Sequence, residues 1–214
     1  MRRVFFAILL LFAASVVSAA DFFVECESFK TLGGWVVDPH SMQQLGSSYV
    51  MAHGYGKPVA DCVTKARFYE PGTYTVWART RDWTAVWHRG TPAGKFQVFV
   101  GEKALPETLG TNGEQWAWQK AGTVQITDEN LTPEIRLHDL TGFNGRCDAL
   151  YFTTDAAFTP PNDPQTMDAF RHAKTGITLK NAEESYDLIV VGGGMSGICS
   201  SMAAARLGLK VLLL

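Results

Sequence analysis

The sequence predicts an all-β jelly-roll sandwich followed by the first βαβ unit of a truncated α/β, Rossmann-type nucleotide-binding domain. Three observations predict it. Between Asp21 and Thr154, apolar residues recur with period two in short runs broken by glycine and proline turns. From Tyr186 to Leu214 the order is an apolar run, a glycine cluster, an alanine-rich stretch and a second apolar run. Between these regions, Thr159-Pro-Pro-Asn-Asp-Pro164 is stiff and non-helical, because consecutive prolines fix φ and remove backbone donors.

Residues 1–20 have the layout of a secretory signal peptide: basic Met1-Arg-Arg3, the uncharged apolar run Val4 to Val17, then small residues Ser18-Ala-Ala20. A membrane-spanning helix needs about 20 apolar residues, so no stable span is expected, with an uncleaved anchor as the alternative. The chain is therefore expected to be exported, to the periplasm or the extracellular space.

Residues 21–154 carry the sandwich. Thr73 to Arg81 alternates, with Tyr74, Val76 and Ala78 on one side and Trp77, Arg79 and Arg81 on the other. Phe96, Val98 and Val100 repeat the pattern. Val124 with Ile126, Ile135 with Leu137, and Leu150 with Phe152 supply three more strands. Glu70-Pro-Gly-Thr73 is a turn. Many short strands at this spacing indicate an antiparallel sandwich, most simply a jelly roll. Residues 155–184 are a linker with a short helix over Gln165 to Lys174, and the domain boundary is expected near Pro160.

Residues 185–214 begin the second domain. Tyr186 to Val191 has the β-branched content of a buried parallel strand. Ile198 to Leu207 is a helix ended by Gly208, and Lys210 to Leu214 is a second strand. Gly192-Gly193-Gly194-Met195-Ser196-Gly197 matches G-x-G-x-x-G in the strand–helix–strand context that the motif requires. Gly192 permits the tight turn, Gly194 lets a pyrophosphate approach the backbone, and Gly197 lets helix and strand pack closely. Unpaired N–H groups at the helix start face the phosphates, and the Ser196 hydroxyl adds a donor. The acidic residue that holds the ribose in this motif lies about 20 positions on, at or beyond Leu214. The chain is thus expected to be an inactive N-terminal fragment holding the phosphate end of a cofactor site.

With 214 residues, net charge −2 and 46% hydrophobic residues, the chain fits one globular domain plus a partial one. It carries no basic stripe, which argues against nucleic acid as a partner. Cys26, Cys62, Cys147 and Cys199 have no metal-binding spacing. An oxidising compartment would permit one bridge among the first three, and buried thiols are the alternative. Of the six tryptophans, Trp35, Trp83, Trp87, Trp116 and Trp118 are candidate sugar-stacking platforms, with core packing as the alternative. Trp83 and Trp87 lie in a loop-like stretch, whereas Trp116 and Trp118 share a strand face, so at least one of them should be buried. The five histidines lack ligand spacing, and only His138-Asp139 suggests a hydrogen-bonded pair.

Asp187-Leu-Ile-Val-Val-Gly-Gly-Gly-Met-Ser-Gly197, with Ala203-Ala-Ala-Arg-Leu-Gly208 and Lys210-Val-Leu-Leu-Leu214, resembles the start of the catalytic part of FAD-dependent oxidoreductases. The resemblance implies FAD as cofactor, with Gly192 to Gly197 as its binding segment. Val24-Glu-Cys-Glu-Ser28, Pro71 to Arg79, Trp116-Ala-Trp118 and Gly145-Arg-Cys-Asp148 resemble the galactose-binding-like jelly rolls of carbohydrate-binding modules. Together the two parts, and His138 to Asp148 most of all, resemble secreted bacterial FAD-dependent oxidoreductases that carry such a module. The jelly-roll resemblance implies a structural Ca2+ held by Glu25, Glu27 and Asp148; alternation puts both glutamates on one face of the first strand, and hard carboxylate oxygens are what calcium prefers. A solvated acidic edge, or pairing with Arg146, is the alternative.

The expected function is an exported FAD-dependent oxidoreductase with a small-molecule or carbohydrate substrate and a glycan ligand for its sandwich. The alternatives are a carbohydrate-binding or adhesion module without catalysis, and an NAD-dependent dehydrogenase.

Overall fold

The computed structural model describes residues 19–88, 90–176 and 184–214; the expected signal peptide lies almost wholly outside them. The chain divides into two compact units after Gly176.

The first unit is a sandwich of two antiparallel sheets. Its strands are β1 (Asp21–Glu25), β2 (Trp35–Asp38), β3 (Tyr49–His53), β4 (Cys62–Lys65), β5 (Gly72–Thr80), β6 (Phe96–Val100), β7 (Lys103–Ala104), β8 (Ala117–Ile126), β9 (Glu134–Asp139) and β10 (Phe143–Thr153). One sheet runs β2-β3-β10-β5-β8, with β1 added on β10; the other runs β4-β9-β6-β7. β10 organises the larger sheet. One edge pairs with β5, while the other pairs first with β3 and then with β1.

The period-two residues meet between the sheets. Tyr74, Val76, Ala78, Phe96, Val98, Val100, Ile135, Leu137, Leu150 and Phe152 form one core with Phe68 and Trp35. Burying each large apolar side chain contributes about 1.5–3 kcal/mol, so this cluster is the main source of stability. Trp35 is 2% exposed and packs edge-on against Phe96 at 5.6 Å between ring centroids, which removes it as a sugar platform.

The opposite face of the larger sheet is covered as well, where alternation alone would leave it to solvent. Helix α2 (Pro164–Thr175) lies on it, following the one-turn α1 (Met42–Leu45) in chain order. Trp118, Ala149, Tyr151 and Met167 form a second cluster, with Phe23, Trp77, Phe158 and Phe170 packed around it. The α2 start is set by Asp163, whose side chain accepts from the Gln165 and Thr166 N–H groups, with Pro164 in the first turn. The proline segment is bound to the sheet too. The Trp118 N–H donates to Asn162 Oδ1 at 2.9 Å and its indole N–H to the Pro161 carbonyl at 3.1 Å. The compact unit accordingly includes the proline segment and α2, through Gly176.

Cys26 and Cys147 place their sulfurs 3.4 Å apart in the core as free thiols, and Cys62 is also buried. Cys199, on the other unit, is exposed.

The second unit contains β11 (Leu188–Val190), α3 (Met195–Arg206) and β12 (Val211–Leu213). β11 and β12 are parallel, with Leu188 opposite Val211 and Val190 opposite Leu213. Parallel neighbours need a crossover connection, and α3 provides it. No helix among the described residues is long and apolar enough to cross a membrane.

Candidate functional site

An aromatic surface is built where two turns meet at one end of the sandwich. The first is the 82–88 turn. Asp82 is 2% exposed, and its Oδ1 accepts from the Thr84 N–H at 3.0 Å and the Thr84 hydroxyl at 2.7 Å. Asp82 N–H in turn donates to the Gly113 carbonyl at 2.8 Å. An aspartate bonding the backbone two residues on is the chemistry of an Asx turn, and it holds Trp83 and Trp87 outward. The second turn leads into β10. Asp139, 1% exposed, accepts from the Thr141 and Gly142 N–H groups through Oδ1 and from Val59 N–H through Oδ2. His138 turns instead to Asp61, at 2.8 Å, so the two neighbours His138 and Asp139 do not form the pair suggested by their adjacency.

Gly142 and Asn144 adopt positive φ of 64° and 59°, and the pairing of β10 with β3 shifts register between Phe143 and Arg146. This bulge turns Phe143 outward. Trp83 then stacks on Phe143, with centroids 5.7 Å apart and planes at 22°, while its indole N–H donates to the Phe143 carbonyl at 2.9 Å. Trp87 meets Trp83 edge-on at 6.0 Å. The Arg146 guanidinium lies 5.3 Å from the Trp83 ring, so it serves the aromatic surface and not an acidic pocket.

Trp87 is 69% exposed, Phe143 44% and Tyr55, on the neighbouring turn, 86%. His53 meets the Tyr55 ring at a tilt, with centroids 4.5 Å apart, and pairs with Asn144 Oδ1 at 2.9 Å, which places polar groups at the margin of the rings. A cleft of about 360 Å³ shares Asp82 and Ala85 with the first turn and has Glu114 in its wall. Exposed aromatic faces bordered by hydrogen-bonding groups can stack on the C–H face of a sugar ring while binding its hydroxyls. Trp116 and Trp118 offer no such face. They are 7% and 5% exposed, and Trp116 packs on Tyr49 at 4.9 Å. Sequence reasoning missed Phe143 and Asp82, and gave Asp139 a histidine partner in place of its turn. The Asp-x-Thr spacing at Asp82 and the Asp-x-x-Gly spacing at Asp139 are the turn signals that point to the two aspartates.

The expected calcium residues lie elsewhere, at the junction of β1, β10 and α2. Alternation was expected to put Glu25 and Glu27 on one strand face, but β1 ends at Glu25 and Cys26–Ser28 forms a 3-10 turn. Asp148 is fully buried, and all its acceptor contacts are to protein donors. Oδ2 takes Arg171 Nη2 at 2.6 Å and Arg79 Nη1 at 3.1 Å, and Oδ1 takes the Ser47 hydroxyl at 3.0 Å. Glu25 Oε1 lies 3.5 Å from Arg171 Nε. The second oxygens of Glu25 and Glu27 are buried without a hydrogen-bond partner. Burial pushes the Glu25 carboxyl up to about 8 despite the pull of Arg171, and pushes Glu27 up to about 7. Burial also raises Asp148, against the opposing pull of Arg171 and Arg79. The one buried aspartate is shared by two guanidiniums, which already supply its counter-charge. No group of three His, Cys, Asp or Glu side chains among the described residues is placed to hold a metal ion. The donor set does not fit calcium.

In the second unit, the glycine cluster forms the turn between β11 and α3. Gly192 has φ 111°, and its N–H donates to the Leu214 carbonyl at 2.8 Å. A Cβ at Gly197 would stand 1.9 Å from the Gly192 carbonyl oxygen, so only glycine fits there. Around Gly193 and Gly194 a Cβ would meet nothing within 4 Å, and Gly194 caps α3. Met195 and Ser196 lie exposed in its first turn. The open backbone at the helix start has the form of an anion cradle.

No family model matches the chain. Over 34 residues, 16% of this chain, it is 56% identical to the tRNA uridine 5-carboxymethylaminomethyl modification enzyme MnmG of Lactococcus lactis subsp. cremoris. The same enzyme of Lactococcus lactis subsp. lactis is 53% identical over 34 residues. The chain spans only 5% of the length of these curated relatives. Among solved structures it is similar to a family 35 carbohydrate binding module from Clostridium thermocellum. That similarity has a TM-score of 0.48 at 16% identity, covering 63% of this chain and 98% of the module. A C-terminal CBM6 of a marine laminarinase from Zobellia galactanivorans gives a TM-score of 0.44 at 17% identity, over 62% of this chain and 98% of that one. A family 35 carbohydrate binding module from an environmental isolate gives 0.41 at 21% identity, over 67% and 99%.

Proposed function

We propose that the sandwich is a glycan-binding module whose ligand stacks on the surface formed by Trp83, Trp87 and Phe143. The observation that carries this reading is a set of outward-held rings, stacked on one another, with Trp87 69% exposed. Large exposed aromatics cost solubility, and a soluble domain that builds two buried aspartate turns to hold them out has a use for them. Titrating the chain with a panel of neutral and uronic-acid oligosaccharides should quench or shift tryptophan fluorescence saturably. Trp87→Ala should weaken that binding by about 2 kcal/mol, roughly thirty-fold, without changing the melting temperature. An unchanged affinity in Trp87→Ala would remove this surface from the function.

A second reading concerns the other unit and rests on Gly197, where packing against Gly192 tolerates no side chain. We propose that Gly192 to Gly197 cradle the diphosphate of FAD in a longer, exported oxidoreductase of which the sandwich is an accessory module. The parallel strand–helix–strand order and the open backbone at Gly193 and Gly194 support it. Protein carrying a complete domain from Tyr186 onward should purify with flavin absorbance, and Gly197→Val should lose the flavin. A full-length protein that stays colourless after FAD is added overturns this reading and leaves the glycan module intact.

A further inference from the structure

We propose that the Glu25–Asp148 pocket carries its own cation, the guanidinium of Arg171, and that this contact latches α2 onto the sandwich without a divalent metal. Arg171 projects from α2 and is 5% exposed. One side chain engages three separate parts of the sandwich. Nη2 donates to Asp148 on β10 at 2.6 Å, Nε stands 3.5 Å from Glu25 at the end of β1, and Nη1 donates to the Ser47 hydroxyl just before β3. The guanidinium carbon also lies 5.9 Å from the Phe23 ring. A planar fork of fixed donors suits this arrangement in a way that a lysine ammonium would not.

Competition with a metal is decided by charge and geometry. A calcium ion takes six to eight oxygens at about 2.3–2.6 Å. Here the central oxygen, Asp148 Oδ2, already accepts from two guanidiniums, Arg171 and Arg79. A divalent ion that used this oxygen would have to displace at least one of them and then sit beside the other. Ejecting Arg171 would also leave a buried cation without its partner, or pull that part of α2 away from the sheet. The acidic pocket and the helix are therefore complementary halves of one contact. α2 is the last element of the first unit, so the latch fixes the point from which the chain leaves the sandwich. Met167 and Phe170 supply the apolar part of the same docking, and Lys174 pairs with Asp21 at the helix end.

Two measurements on the whole chain test this. After dialysis against EDTA, thermal melting followed by tryptophan fluorescence should give one midpoint with or without millimolar calcium chloride. A rise of several degrees with calcium overturns the proposal. Hydrogen exchange should then show the α2 amides of Arg171→Met exchanging about ten-fold faster or more, as expected for a lost charge-assisted hydrogen bond. The amides of β5 and β8 should keep their protection. Unchanged exchange in α2 overturns the latch. Should Arg171→Met fail to fold, Arg171→Lys, which keeps the charge but loses the fork, takes its place in the exchange measurement, and the calcium comparison on the unmodified chain stands independently.

Discussion

Asp148→Ala is expected to destabilise the sandwich by about 3–5 kcal/mol, the usual result of removing one partner from a buried ion pair. Asp148 is buried completely, and both guanidiniums that it holds are nearly so, with side chains 3% and 6% exposed. Without the carboxylate, two positive charges remain in a site where burial already lowers the Arg79 pKa. Glu25 is the nearest alternative partner, at 3.5 Å from Arg171. Burial favours its neutral form, so it compensates only partly. Urea denaturation followed by circular dichroism measures the loss directly. The corresponding drop in melting temperature is about 10 °C for a unit of this size. Asp148→Asn, which keeps an acceptor oxygen but no charge, should fall between the two. A loss below about 1 kcal/mol in the alanine variant would mean that the pair contributes no more than an exposed salt bridge.

Gly142→Ala should cost about 4 kcal/mol, combining backbone strain of 1–3 kcal/mol with the loss of buried hydrogen bonds. Gly142 has φ 64°, and its added Cβ would lie 1.8 Å from the carbonyl oxygen of Lys57 and 2.2 Å from the carbonyl carbon. All of the close atoms are backbone, so no side chain can swing aside. The two turns must separate, breaking the bonds from Gly54 N–H and Gly56 N–H to the Gly142 carbonyl, both 3.0 Å. Gly113→Ala is the matched control. It also has positive φ, 71°, but meets nothing within 4 Å, so it should cost only about 1 kcal/mol. Because Phe143 follows Gly142, the damaging variant should weaken glycan binding as well as stability. Equal stability of the two variants would show that the turn relaxes freely.

The sandwich was legible because strand periodicity is a local property. Tyr74, Val76 and Ala78 alternate in the chain and face the same core in the fold. What alternation could not report is that the other side, with Trp77 and Arg79, lies beneath α2. Coverage of that face depends on Met167 and Phe170, about ninety residues later, which carry no signal at the strand itself. The aromatic surface was half legible. A loop-like stretch with two tryptophans suggests exposure, whereas Phe143 is turned out by a bulge whose cause is the positive-φ pair Gly142 and Asn144.

The acidic pocket separates the two kinds of information most clearly. The resemblance to jelly rolls grouped Glu25, Glu27 and Asp148 as one set of carboxylates, and in the fold Glu25 and Asp148 both meet Arg171. Which cation answers them was set through space. Arg171 and Ser47 are 124 positions apart, Ser47 and Asp148 are 101 apart, and neither separation leaves a pattern in the sequence. The amino-acid order alone determined the sheets, the core and the glycine turn, because backbone geometry and hydrophobic periodicity act between near neighbours. Only the tertiary structure decided that a guanidinium fills the acidic pocket, because the choice of counter-charge depends on which distant side chain packing delivers into it.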